Sequence, residues 1–350
     1  MAVIGTGGIG KRVHIPAYLN NTHVQLVALV DTDIKKAKQT ARKFKVGRVF
    51  SSVDDLFEKE EIDAVSICTP PDTHASIALK AFDYGADVLC EKPLAISVDD
   101  GRTMVKASQT KGKTLMVGFH RRFFPNYQKA KECILKGEMG HVYCVEDHYV
   151  EPNPLVVWSK SEWFFRPGTG GVLLDLAPHV FDMLNYMFDS FPTAVSAYAS
   201  TFLDSPVEDC CTILVEYSEG RVGIGVISWL SSMVTEYVNM FGTGQDLYVS
   251  PNFFFKSSSI NVREVALFRA ASESLLSMKF PNLSMLRTRR ADPYQSEIDF
   301  FIECLRKGKR LQLSALNALS VLISCNAVRE AIERKCTIYL PQPAEFLASS

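Results

Sequence analysis

Near the start of the 350-residue chain, Gly5-Thr6-Gly7-Gly8-Ile9-Gly10 follows the apolar run Ala2-Val3-Ile4 directly and leads into a segment able to form a helix. A G-x-G-x-x-G turn in that setting narrows the possible folds sharply. The first glycine permits a tight turn, the second lets the backbone approach a pyrophosphate, and the third lets strand and helix pack closely. Gly8 and Ile9 complete the loop, and the N–H groups that open the helix attract an anion. Asp31 lies 21 positions beyond Gly10, at the end of the next strand-like run. A carboxylate there can accept hydrogen bonds from both ribose hydroxyls and repels a 2′-phosphate. The pattern points to NAD as cofactor, with NADP left open by the nearby Lys35 and Lys36. The competing role for Asp31, capping a helix that starts at Ile34, can be filled by Asp33.

The rest of the first hundred residues repeats this alternation. Ala2–Gly5, Gln25–Val30, Ala64–Cys68, Asp87–Cys90 and Thr114–Gly118 read as strands, while 34–44 and 73–84 carry apolar residues at helical spacing. Strand, helix, strand in succession requires crossovers and gives a doubly wound parallel sheet, the Rossmann arrangement. After Phe119 prolines break the chain, and then strand-like runs follow without helices between them: Thr193–Phe202, Cys211–Tyr217, Val222–Trp229 and Glu236–Gly242. Such runs pair antiparallel. Two helices, 294–307 and 314–335, close the chain, and 246–293 carries no readable period. The expected organisation is α/β: a Rossmann domain over 1–120 and a C-terminal α+β domain with a large, mostly antiparallel sheet over 121–350.

Two places carry chemistry. Glu91-Lys92-Pro93 follows the apolar strand Val88-Leu89-Cys90, so Lys92 stands at the carboxyl edge of a parallel sheet, where open α/β sheets bind ligands. Further on, Asp175, His179 and Asp182 fall on one face of an otherwise apolar helix if that stretch is helical; Pro178 requires that the helix either start near Ala177 or kink there. A carboxylate and an imidazole among Leu, Val and Phe need partners, and a histidine oriented by Asp175 suits a general acid/base. The bland alternative is a core histidine capped by an aspartate. No second histidine stands at ligand spacing, so no metal is expected.

Composition removes other classes. Lys plus Arg number 38 against 39 Asp plus Glu, a net charge of −1 that leaves no basic excess for nucleic acid. Nine cysteines, an odd number without Cys-x-x-Cys spacing, read as free thiols of a reducing compartment. Neither a signal peptide nor the roughly 18-residue apolar run of a membrane span is evident. A cytoplasmic location without membrane association is expected.

Taken together, the glycine turn, Cys68-Thr69-Pro70-Pro71-Asp72-Thr73-His74, Cys90-Glu91-Lys92-Pro93-Leu94, Gly118-Phe119-His120-Arg121-Arg122-Phe123 and Gly170 through Asp182 resemble the Gfo/Idh/MocA family of oxidoreductases. The resemblance spans nearly the whole chain; many relatives have glycine where Ala177 stands. It implies a second domain whose open sheet mediates assembly into homodimers or homotetramers. It also implies catalytic roles for Lys92, Asp175 and His179, and places Thr69, Pro70, His74, Glu91, Lys92 and Arg122 with the glycine turn and Asp31 at the cofactor, with Arg121 close by. The expected reaction passes hydride between NAD and a secondary alcohol or ketone of a sugar, cyclitol or sugar derivative, a small carbohydrate-like partner. In that scheme His179 takes the hydroxyl proton, Asp175 orients its ring and Lys92 binds the same oxygen. Trp158, Trp163, Phe164 and Arg166 are candidates for a wall of the substrate pocket. The alternatives are a redox-neutral, NAD-dependent glycosidase-like enzyme and a non-catalytic NAD-binding protein.

Overall fold

A computed structural model of the chain describes residues 1–154, 162–168, 170–258, 292–308 and 312–348. In the first part, β1 (Ala2–Ile4), β2 (Ala28–Val30), β3 (Arg48–Phe50), β4 (Ala64–Ile67), β5 (Asp87–Cys90) and β6 (Leu115–Val117) form one parallel sheet in the order β3-β2-β1-β4-β5-β6. Except at the edge strand β3 these strands are almost wholly buried, as strands covered on both faces must be. The order reverses between β1 and β4, and the crevice over their carboxyl ends is where such sheets bind ligands. Helices α1 (Ile15–Asn20), α2 (Ile34–Phe44), α3 (Val53–Lys59), α4 (His74–Asp83) and α5 (Val98–Lys111) make the crossovers. Gly10–His14 is a turn of π-helix that runs into α1. Asp33 caps α2, accepting from the N–H groups of Lys35 and Lys36, which frees Asp31.

The second part is an eight-stranded sheet in the order β13-β12-β11-β7-β10-β9-β8-β14. Its strands are β7 (Val142–Pro152), β8 (Ala194–Ser200), β9 (Cys210–Glu216), β10 (Val222–Ser228), β11 (Leu230–Gly242), β12 (Gln245–Val249), β13 (Phe254–Ser258) and β14 (Ile338–Tyr339). Every pairing is antiparallel except β7 with β10. Helices α6 (Pro125–Leu135) and α7 (Val172–Phe188) cover its inner face. Pro178 sits inside α7 without ending it and leaves the Leu174 carbonyl without its helical partner, so the helix does not start late at Ala177. α7 settles closely on β10 because Gly223 and Gly225 have no side chains: a Cβ at either would stand 2.9 Å from Leu184 or 2.7 Å from Val180.

The closing helices α8 (Pro293–Arg306) and α9 (Gln312–Arg334) return to the parallel-sheet half. α8 packs on α1 and on the short turn His120–Phe123, and α9 lies against α5, β6 and α7. Residues 315–334 of α9 are long and apolar enough to cross a membrane, with mean hydropathy 1.2, but are mostly buried inside the protein, as a core helix is. α10 (Pro343–Ala348) packs beside α9. All nine cysteines are free thiols.

Candidate active site

One cavity of about 810 Å³ runs from the carboxyl ends of β1 and β2, past those of β4 and β5, to the N-terminal half of α7. It is lined at one end by Gly5, Gly7, Gly8, Ile9 and Asp31, in the middle by Thr69, Pro70, Glu91 and Lys92, and at the other end by Asp175 and His179. Residues separated by most of the chain therefore meet in one crevice.

The glycine turn is built as its spacing implies. Gly5 has φ of +97°, a conformation glycine adopts at no steric cost, and a Cβ there would meet the Cys68 carbonyl oxygen at 2.5 Å. Gly10 does not line the cavity. It lets the helix press on the strand, since a Cβ would lie 2.2 Å from the Gly5 carbonyl oxygen. At Gly7 a Cβ would meet nothing within 4 Å, so the backbone there is open to an approaching group. Asp31 is tied to this turn. Its Oδ2 accepts from the Thr6 N–H at 2.8 Å and the Thr6 hydroxyl at 2.6 Å, while Oδ1 accepts from the Asp33 N–H at 3.0 Å. Burial opposes the Asp31 charge, but the Thr6 and Asp33 bonds and the Lys36 ammonium more than offset it, so the carboxyl titrates below the usual aspartate range. An open backbone loop beside a fixed, ionised carboxylate fits a dinucleotide.

At the far end, Lys92 donates from Nζ to the Asp175 Oδ1 at 2.7 Å and to its backbone carbonyl at 2.8 Å. The Trp229 indole N–H donates to Asp175 Oδ2 at 3.1 Å. Two of the three Lys92 protons are thus engaged, leaving one for a ligand oxygen. Beneath it, Glu91 Oε1 is 2.8 Å from His14 Nε2, and His14 Nδ1 is 3.1 Å from the Ser66 hydroxyl. Burial works against the Glu91 charge, yet His14, then Lys92 and His120, hold its carboxyl below the usual range. His179 is buried, with its ring edge against Tyr149 and His120, and no group among the described residues bonds its Nδ1. Burial first, then the charges of Lys92, His120 and Arg121, push its pKa well below the usual value, which leaves a neutral imidazole.

Several expectations are corrected. Asp175 does not orient His179: its carboxylate holds Lys92 and Trp229, because the lysine approaches from β5 and satisfies the buried charge first. Asp182 shares the helix face but not the cavity; it pairs with Arg122 at 2.7 Å and accepts from Asn317. That ion pair, with the guanidinium lying over the Tyr186 ring, keeps Arg122 off the cavity lining. Arg121 is buried in a bidentate bond to Asp147, with both distances 2.8 Å, and its Nε lies 3.0 Å from Glu236. His74 does not reach the cleft either. Its ring nitrogens lie 2.9 Å from the carbonyls of Pro93 and Thr69, so it clamps the Thr69 turn to the Lys92 loop. Trp163 and Phe164 line the cavity, Arg166 stands exposed 3.9 Å from Asp72, and Trp158 lies outside the described residues.

Other lining groups were not read as site residues. His120 stacks on Tyr294 at 4.1 Å between ring centroids, Tyr149 faces His179, and Glu151 stands at the end of β7. Ser51, Ser52 and Asp54 line the end near Asp31. Their signals are weak individually: Tyr294 begins a helix far along the chain, and the alternation of β7 is hidden by charges on its inward face.

Comparisons with known proteins place the chain in a family. The model of the oxidoreductase family with NAD-binding Rossmann fold, GFO_IDH_MocA, matches residues 1–119, and that of the GFO/IDH/MocA C-terminal domain matches 127–247. The chain belongs to the Gfo/Idh/MocA family. This Gfo/Idh/MocA protein is an NAD-binding oxidoreductase. It is 28% identical over 340 residues to inositol 2-dehydrogenase of Rhizobium meliloti, covering 95% of this chain and 96% of the relative. It is 26% identical over 276 residues to D-glucoside 3-dehydrogenase of Escherichia coli, covering 77% and 73%. A solved levoglucosan dehydrogenase in complex with NADH and L-sorbose shares the fold with a TM-score of 0.83 at 21% identity, covering 98% of this chain and 99% of that one.

Proposed function

We propose that this Gfo/Idh/MocA protein is a dehydrogenase that interconverts a secondary alcohol and a ketone on a sugar, cyclitol or sugar derivative. The observation that carries the reading is the meeting, in one cavity with the glycine turn and Asp31, of a Lys92 ammonium fixed by Asp175 and a neutral, buried His179. Gly5, Gly7, Gly8, Ile9, Thr69 and Pro70 would hold the dinucleotide and Asp31 its ribose; NAD is favoured over NADP because the Asp31 carboxylate repels a 2′-phosphate. When bound, NAD supplies the acceptor for the hydride leaving the alcohol carbon.

The protein's own groups handle the proton. His179, neutral because it is buried, takes the substrate hydroxyl proton as general base. Lys92 offers its remaining Nζ proton to the same oxygen, stabilising negative charge as it develops. Asp175 and Trp229 hold the ammonium in place, and Glu91 with His14 supports the strand end that carries it. Trp163, Phe164, Tyr149 and Tyr294 supply aromatic faces suited to sugar C–H surfaces and exclude water.

The test is to incubate the purified protein with NAD and a panel of inositols, aldoses and glycosides while following absorbance at 340 nm. Net NADH formation is expected with at least one secondary alcohol. Product without net NADH would favour the redox-neutral alternative, and neither product nor NADH across the panel would overturn the reading. The outer face of the large sheet shows Tyr143, Tyr198, Leu214 and Phe255, 46–75% exposed; we propose that copies associate through it, which light scattering after gel filtration reads directly.

A further inference from the structure

Strand β7 turns alternate side chains inward, so Val145, Asp147, Tyr149 and Glu151 share the face that meets α7 and the cavity. Four carboxyl groups gather on this side: Asp147, Glu151, Asp175 and Glu236. Among the described residues, two cations answer them. Arg121 takes Asp147 in a bidentate bond and faces Glu236, and Lys92 takes Asp175. Glu151 is the one left over. It is buried, lines the cavity, and receives no hydrogen bond from any group among the described residues. A buried carboxylate without a cation is costly, and the shortage falls at the point where a ligand arrives.

We propose that Glu151 makes this pocket selective for a substrate whose ring carries an amine next to its hydroxyls, the ammonium supplying the cation that the protein withholds. The inference rests on the dehydrogenase reading above and names the substrate class more narrowly: amino sugars or aminocyclitols rather than neutral polyols. The surroundings agree. Burial first, then the Asp175 charge and that of Glu236, with Lys92 opposing, push the Glu151 carboxyl up to about 8. Among the described residues, Tyr149 on its own strand and Tyr294 on α8 also interact with it electrostatically, His179 on α7 shares its cavity and is neutral, and Arg121 is already engaged by Asp147. Without ligand at neutral pH the carboxyl therefore keeps its proton, and an arriving ammonium expels it.

The experiment is calorimetric titration of the NADH-bound protein with 1-amino-1-deoxy-scyllo-inositol and with scyllo-inositol, in buffers of different ionisation enthalpy. The amine is expected to bind about tenfold or more tighter and to release a substantial fraction of a proton at pH 7, whereas the neutral polyol releases none. Between pH 6 and pH 7 the amine's Kd should fall about tenfold while that of the polyol stays level. Glu151→Gln should abolish both the preference and the proton release; Glu151→Asp, which keeps the charge, should retain part of each, and NADH binding reports that both variants fold. Equal binding of the two compounds, a preference that survives in Glu151→Gln, or no binding of the amine would each overturn the inference. Oxidation of scyllo-inositol without an amine preference would remove this inference and leave the dehydrogenase reading standing, while amine selectivity without any oxidation would do the reverse.

Discussion

Replacing Lys92 with methionine separates its structural and chemical duties. The ammonium lies 2.7 Å from Asp175 Oδ1, with the two side chains 17% and 5% exposed. At an effective dielectric of about 20 the gross attraction is about 6 kcal/mol, most of it offset by the cost of taking both ions out of water. Removing one partner leaves Asp175 buried and uncompensated, a loss of about 3–5 kcal/mol in fully buried pairs. The partial exposure of Lys92 puts this case near 3 kcal/mol, or a fall in Tm on the order of 6–12 °C. A second change, Asp175→Asn, removes the orphaned charge while its amide oxygen can still accept from Trp229, so the double variant should melt close to wild type. Turnover should stay about 10²–10⁴-fold down in both, because the proton donated to the substrate oxygen is gone from each. Differential scanning calorimetry, NADH titration and the 340 nm assay on a substrate from the panel read these separately. A single variant that melts like wild type, or a double variant that regains turnover, would refute the assignment of Lys92.

The glycine turn yields a paired prediction. Gly7→Ala should melt normally and weaken NADH binding about tenfold or more, because its methyl enters space that is open in the protein, whereas Gly10→Ala should lower the Tm by driving backbone against the Gly5 carbonyl. Asp31→Ser should shift preference from NAD toward NADP, read by titrating both reduced dinucleotides; unchanged selectivity would detach Asp31 from the ribose. The native Asp31 pKa lies below its unfolded value, so its contribution to stability is present above about pH 4 and fades as pH falls through the native value, a loss that Asp31→Asn should not show in acid melts. Burial lowers the His179 pKa, so the base stays unprotonated through neutral pH and, with a neutral polyol as substrate, no acid limb of kcat/KM should fall between pH 6 and 7; a limb there that His179→Gln abolishes would contradict the neutral imidazole.

The first hundred residues announce their fold because local pattern and burial coincide there. Each strand of the parallel sheet except β3 is a short, largely apolar run, and α2 runs over Ile34–Phe44 as its spacing predicts. β3 escaped because an edge strand starting at Arg48 needs little apolar character. β7 escaped for another reason: its inward positions include Asp147, paired with Arg121, and Glu151, which lines the cavity, so the period of two carries little hydrophobic signal. Arg122 and His74, expected at the cofactor, do not line the cavity for a related reason, since motif membership does not say which partner a side chain finds. Asp182 and the carbonyls of Thr69 and Pro93 were nearer.

What the residues alone determine is the parallel half, the glycine turn with its acidic companion, and the chemical types at Lys92, Asp175 and His179, because each depends on neighbours within a turn or a strand. Which carboxylate takes which cation was decided by the tertiary structure. Charges brought together from β5, β7, β11 and α7 compete for partners across distances that no local spacing encodes, and that competition ties Asp175 to Lys92, leaves His179 neutral and strands Glu151 at the cavity.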